Sequence, residues 1–123
     1  KPQIDSDVDV FRKLVKKYIA DSDKIILLAV SNDTKIIGMV SIVFLSRLNR
    51  DTLEMYIPEL VVLEKYHRQG IGKKLIQSCI SLAGEKKCHR IRLESGNQRK
   101  ESHQFYTNLG FEQSSLSFTL NLN

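Results

Sequence analysis

Apolar residues recur three and four positions apart at Val8, Phe11, Leu14, Val15, Tyr18 and Ile19, which is one face of a helix. Arg12, Lys13, Lys16 and Lys17 lie opposite. Ser6 with Asp9 is the kind of pair that caps such a helix, and Asp21-Ser22-Asp23 breaks it. Lys24 to Val30 then predicts a buried strand, Ser31 to Thr34 a turn, and Lys35 to Leu45 the returning strand. Ser46 to Asp51 is a polar loop carrying Arg47 and Arg50. Leu53 to Leu63 predicts a third strand interrupted by Pro58, which cannot donate to a ladder and so marks an edge or a bulge. Lys65 to Gln69 is a loop, and Gly70 to Lys87 a helix with Ile71, Leu75, Ile76, Cys79, Ile80 and Ala83 on one face. Arg90 to Ser95 alternates apolar and charged residues as a strand does, so this strand–helix–strand unit implies two parallel neighbours. Arg99 to Leu109 is a further helix with Ser102, Phe105, Tyr106 and Leu109 inward, stopped by Gly110 in a left-handed cap. Leu116, Phe118, Leu120 and Leu122 alternate as a last strand with one face buried. The pattern is α/β with a mixed sheet, in a single domain over residues 1–123.

Composition changes this picture little. A chain of 123 residues with 41% hydrophobic and 27% charged residues has enough apolar matter for a core. The longest apolar run, Ile25 to Val30, is far short of the roughly 18 residues a membrane span needs, so no membrane partner is expected. No secretory signal opens the chain, and Cys79 and Cys88 form neither a zinc pattern nor a disulfide framework, which fits free thiols in the cytoplasm. The net charge of +5 suits an anionic partner. No helix-turn-helix or aromatic RNA-binding signature is present, so nucleic acid is not expected to be that partner. His89 and His103 make no metal pattern, and His89 is expected at the surface.

The chemically informative stretch is Leu60 to Lys74, LVVLEKYHRQGIGKK. A strand enters a loop with two glycines, and the loop enters a helix. The first N–H groups of a helix have no partner inside it, point at one spot and favour negative charge there. Gly70 and Gly72 remove side chains that would hold a ligand off that backbone, and Lys73 and Lys74 add positive charge. This is a phosphate cradle. It is not a Walker A loop, because Lys73 is followed by Lys74 and position 67 is His. It is not a dinucleotide fingerprint either, because Leu75 stands where a third glycine belongs.

At His67-Arg68-Gln69-Gly70-Ile71-Gly72 the sequence resembles the GNAT superfamily of acyl-CoA-dependent N-acetyltransferases, whose CoA loop is Arg/Gln-x-x-Gly-x-Gly/Ala. His67 departs from the usual Arg or Gln, and Arg68 is placed to supply the charge. A second motif follows in the family's order: Ser102, then Phe105-Tyr106, then Gly110-Phe111. The resemblance is close from Glu59 to Phe111, reduces to a hairpin pattern over Lys24 to Leu45, and fails before residue 20.

The resemblance implies a mostly antiparallel sheet with a central parallel strand pair, flanked by helices, and lacking the family's first strand and helix. It implies acetyl-CoA as co-substrate, held by Leu60, Val61, Val62 and the loop from His67 to Lys74, with no metal. It implies transfer of the acetyl group by direct attack of a primary amine of a small molecule or peptide. An alkylamine must first lose a proton, costing roughly 4–5 kcal/mol at pH 7. Glu59, after Pro58, matches the family's carboxylate base, with Glu54, Glu94 and His103 as rivals. Tyr106 falls where a hydroxyl protonates the leaving thiolate, and a backbone N–H of Val61 or Val62 would polarise the acetyl carbonyl. Arg99 and Lys100 either meet the adenosine phosphate or are solvated. The alternative function is a CoA-binding regulatory module without turnover. The apolar strand Lys24 to Val30, left at a sheet edge, is expected to invite a second copy, a homodimer, unless a longer N-terminus covers it.

Overall fold

The structure is a computed structural model; it describes residues 3–95, 100–115 and 117–122, with the side chains of residues 3–7 and 100 outside the description. The element order is α1 (Gln3–Ile19), β1 (Lys24–Val30), β2 (Ile36–Arg47), β3 (Arg50–Ile57), β4 (Leu60–Val62), α2 (Ile71–Glu85), β5 (Arg90–Leu93) and α3 (Lys100–Asn108). A single 3₁₀ turn, Glu64–Tyr66, leads from β4 toward α2.

The sheet runs β1-β2-β3-β5, and β4 pairs with β2 beyond the end of β3. All pairings are antiparallel except β3 with β5, the parallel pair that the strand–helix–strand order implies. Alternation along the strands sorts two faces. Val40, Ile42 and Phe44 of β2 meet Met55 and Ile57 of β3 and Leu75, Ile76, Cys79 and Ala83 of α2, and this is the buried core. Ile80 is exposed, so the inward face of α2 is narrower than its sequence suggests. Phe105, Tyr106, Leu109 and Phe111 pack against the same core at or beyond α3. The opposite face carries Ser41, Glu54, Tyr56, Arg90, Arg92 and Glu94, with α1 laid across its β1 side.

Pro58 does what its chemistry demands. Val43 stands opposite Tyr56, and Val40 opposite Leu60, so Ser41 and Ile42 on β2 face the longer stretch Ile57-Pro58-Glu59. The extra residue is a β-bulge, which bends the strand away from its neighbour. The predicted third strand is therefore two: β3 stays with β5 up to the pair Ile57–Leu93, and β4 continues along β2 alone. The sheet forks there.

Three expectations do not hold. The first helix starts at Gln3, so Ser6 lies within it and does not cap it. Its apolar stripe is helical but largely open: Phe11, Leu14 and Ile19 are each 58% exposed, and only Val15 and Tyr18 turn inward among those predicted. The helix rests on the sheet margin at β1, and no described residue covers its far side. The tail forms no strand among the described residues. Phe118, Leu120 and Leu122 are almost fully exposed, because alternation buries a face only where a strand partner exists, and β5 has none on that side. Leu116 and Arg99 lie outside the described residues.

Candidate active site at the sheet fork

Backbone parity decides what β4 offers. The Ser41 N–H donates to the Glu59 carbonyl at 3.0 Å, and the Leu63 N–H donates to the Ile37 carbonyl at 2.9 Å. In an antiparallel ladder alternate residues turn both backbone groups to the same neighbour. Val61, between those two, is spent on β2 opposite Met39. Leu60 and Val62 turn their backbone groups the other way, into the fork, where no described strand pairs with them. Of the two N–H owners named from the sequence, Val62 points into the fork and Val61 toward β2.

The Val62 carbonyl accepts a hydrogen bond from His67 Nε2 at 2.8 Å. His67 thus pins the loop to the strand, using a ring N–H that the carbonyl requires. Arg68 and Gly70 both take left-handed backbone, at φ 65° and 79°. Glycine is suited to that conformation, and a Cβ on Gly70 would meet nothing within 4 Å, so the space in front of the helix is open. No side chain caps α2, its first turn holds no acid, and its ladder begins with the Lys74 N–H on the Gly70 carbonyl. Gln69, Lys73 and Lys74 are exposed around this start, while Ile71 packs inward. Gly72 lies close under its neighbours as well. Its missing Cβ would lie 3.4 Å from Phe105 Cζ and 3.9 Å from Val62, so it lets α3 and β4 approach α2.

α3 floors the fork. Its end is a Schellman closure: the Gly110 N–H bonds the Thr107 carbonyl and the Phe111 N–H the Tyr106 carbonyl, with Gly110 at φ 97°. Tyr106 sits edge-on to Phe105 and Phe111 and lines a cleft of about 510 Å³ with Leu93, Glu94, Ser95 and His103. No described residue hydrogen-bonds its hydroxyl. Burial pushes its pKa up, and nearby Cys79 adds to this, so the hydroxyl keeps its proton at neutral pH. Cys79 itself, fully buried, is pushed up to about 11 by the same burial and is an inert core thiol.

The polar face of the sheet separates the candidate bases. Glu54 is 0% exposed and ion-paired to Arg47 (2.9 Å), Arg90 and Arg92 (3.4 Å). Burial alone would raise its pKa, but the guanidiniums win and hold it below the ordinary value. Such a locked carboxylate is a structural ion cluster and has no access to an amine. Glu94 accepts from Tyr56 Oη at 2.7 Å and from Ser117 Oγ at 2.6 Å, and these bonds lower its pKa. Glu59 is exposed at the bulge, with no ion-pair partner among the described residues. Ser41 Oγ donates to Glu59 Oε1 and in turn accepts the Glu59 N–H at 2.9 Å. Tyr18 from α1 donates to the Ile42 carbonyl at 2.9 Å beside this pair. Burial raises the Tyr18 pKa, and the Glu59 charge contributes. His89 is not at the surface as expected; it is half-buried, with Nδ1 3.0 Å from Thr52 Oγ1.

Sequence reasoning missed Ser41, Tyr18 and Tyr56. Ser41 had a signal: it is the lone hydroxyl inside the apolar run Ile36 to Leu45. Tyr18 and Tyr56 had none, because only the fold brings them beside Glu59 and Glu94.

The family model described as "Acetyltransferase (GNAT) family" matches residues 2–111, most of the chain. The chain belongs to the GNAT family. An aminoalkylphosphonate N-acetyltransferase of Salmonella typhimurium is 28% identical over 113 residues, 92% of this chain and 73% of that protein. N-alpha-acetyltransferase 30 of Homo sapiens is 37% identical over 68 residues, 55% of this chain but only 19% of that protein. The chain thus spans about a fifth of that human relative. Among solved structures, a transcriptional regulator from Bacillus halodurans superposes with a TM-score of 0.85 at 25% identity, covering 92% of this chain and 75% of that one. An aminoglycoside acetyltransferase from an uncultured soil sample, solved with sisomicin, gives 0.81 at 22% identity, covering 90% and 74%. The mostly antiparallel sheet with its one parallel pair thus superposes on both of these structures. Among the described residues no group of His, Cys, Asp and Glu could hold a metal ion, and no helix is long and apolar enough to cross a membrane.

Proposed function

We propose that this GNAT domain is an N-acetyltransferase that moves an acetyl group from acetyl-CoA to a primary amine of a small molecule or peptide. One observation carries the reading: the outward backbone of β4, unpaired by the bulge, opens toward the uncapped start of α2. The donors at that start suit a pyrophosphate, and Gly70 leaves the approach clear. Exposed Arg68, Gln69, Lys73 and Lys74 surround it. The Leu60 carbonyl and the Val62 N–H suit the amides of an extended pantetheine arm, which would lie in the fork as an added strand does.

When bound, acetyl-CoA supplies an activated acyl thioester. The residues then divide the work. The Leu60 N–H, outward like that of Val62 and nearer Glu59, polarises the acetyl carbonyl, a preformed donor aimed where charge develops. Glu59 takes the proton of the attacking amine, directly or through water. The new C–N bond replaces the C–S bond, and Tyr106 gives its proton to the departing sulfur. The reaction is read as cytoplasmic, in keeping with two free cysteines. The open apolar margin of α1 and β1 supports self-association. Sedimentation well above 14.1 kDa at micromolar concentration is expected, and a clean monomer refutes it.

The deciding experiment incubates the chain with acetyl-CoA and a panel of amines and reads released thiol together with acetylated product. The relatives set the panel: an aminoalkylphosphonate, an aminoglycoside and a peptide N-terminus. Thiol release matched by acetylated amine is expected. Tight acetyl-CoA binding with no transfer to any amine would make the chain a CoA-binding regulatory module instead.

A further inference from the structure

We propose that Ser41 is a positioning residue for the reaction, holding Glu59 in the orientation that receives the amine proton. The inference rests on the reading of Glu59 as the base. Glu59 stands on a bulge, where the chain has lost its regular ladder and a flexible side chain has no neighbour to order it. Ser41 is 2% exposed on the adjacent strand, at the two β2 positions that oppose the three residues of the bulge. Its hydroxyl has one proton and two lone pairs. The proton goes to Glu59 Oε1, and one lone pair receives the Glu59 backbone N–H at 2.9 Å. The Ser41 N–H meanwhile donates to the Glu59 carbonyl at 3.0 Å.

Three contacts from one residue thus fix the backbone, carbonyl and carboxylate of Glu59. They occupy Oε1 and leave Oε2 without a hydrogen bond among the described residues. A general base needs one oxygen tethered and one free, and this arrangement supplies both. A buried serine in an apolar strand otherwise carries a desolvation cost, which this pairing offsets. The titratable groups facing Glu59 are Tyr18 from α1 and Tyr56 from β3, with Glu94 of the β5 side bound to Tyr56. Both tyrosines have raised pKa values, so neither titrates on the acid side of neutrality.

The test measures kcat and the acetyl-CoA KM for Ser41→Ala, Ser41→Thr and Glu59→Gln, using the amine that the wild-type chain acetylates. Ser41→Ala is expected to lose about tenfold or more in kcat. The KM for acetyl-CoA should stay as it is, since Ser41 is remote from the loop. Ser41→Thr keeps the hydroxyl and should restore most of the rate. If Ser41→Ala does not fold, Ser41→Cys, near-isosteric with a weaker donor, takes its place with the same readouts. A wild-type rate in the hydroxyl-free variant overturns the proposal. So does a rate loss that Ser41→Thr does not restore, or one matched by a raised acetyl-CoA KM, which is what a merely structural serine produces. Full activity in Glu59→Gln is a separate result that removes Glu59 as the base.

Discussion

Glu54 and Glu59 lie five positions apart on one strand line, on either side of the Pro58 bulge, and their surroundings make them different chemical objects. At Glu54 the sheet is zipped: β3 pairs with β2 on one side and β5 on the other, and three arginines converge on a carboxylate with no exposure. At Glu59 the sheet has parted, and the carboxylate is exposed with a single serine tether. A carboxylate in the closed part contributes to folding, and one at the open part is free to exchange a proton. Residue type alone could not tell them apart.

The sharpest way to break this contrast is to neutralise each in turn. Glu59→Gln should lower turnover by about 10²- to 10⁴-fold, the usual range for a general base, with the melting temperature little changed. Glu54→Gln should do the reverse. Removing one partner of a buried ion cluster costs about 3 kcal/mol, at the low end because Arg47 and Arg90 are partly solvated. Turnover per folded molecule should hardly move. Denaturant titration and steady-state rates on the same two preparations decide it, and equal effects in both variants would erase the distinction.

Tyr106→Phe probes the cleft between α3 and β5. The ring contacts to Phe105 and Phe111 survive, so stability should hold. Turnover should fall by about 10²-fold, with the acetyl-CoA KM unchanged. A wild-type rate would return Tyr106 to the core and leave protonation of the sulfur to water.

The pH dependence of stability sharpens the closed end. The Glu54 pKa is lowered in the folded chain, so the unfolded chain binds the extra proton first. The stabilisation is present in full above the unfolded carboxylate pKa and is lost as pH falls through the lower folded value. The melting temperature should therefore drop from about pH 5 downward. Glu54→Gln should show a shallower drop over the same window, and an identical slope would mean other carboxylates set it.

Much of this was legible in the residues. The strand Lys24–Val30 is found as predicted, Pro58 announced the bulge, and the two glycine-bearing motifs fall at the start of α2 and the end of α3. What was not legible depends on partners distant in sequence. Glu54 could not be set apart from Glu59, because Arg47, Arg90 and Arg92 reach it only through β2 and β5. Backbone parity, which separates Val62 from Val61, follows from the register of the bulge and no periodicity encodes it. The tail alternates like a strand, yet the described part has no ladder to join.

The smallest effects come from the two glycines of the loop, which the sequence treats alike and the fold does not. Gly70 sits at φ 79° with open space before it, so its substitution to alanine meets no clash, only a backbone penalty of about 1 kcal/mol. That strain falls on the loop that presents the α2 N–H groups. The expected result is weaker acetyl-CoA binding by about fivefold, with a modest loss of stability. Gly72 lies inside α2, where alanine favours the helix by about 1 kcal/mol. Its new Cβ would meet Phe105 Cζ at 3.4 Å, the limit of ordinary contact, so the gain is partly offset. Gly72→Ala should leave stability near wild type and acetyl-CoA affinity intact, as read by calorimetry and thermal melts. A larger loss of affinity in Gly72→Ala than in Gly70→Ala would reverse the assignment, making Gly72 the residue over which the phosphates pass and Gly70 a turn.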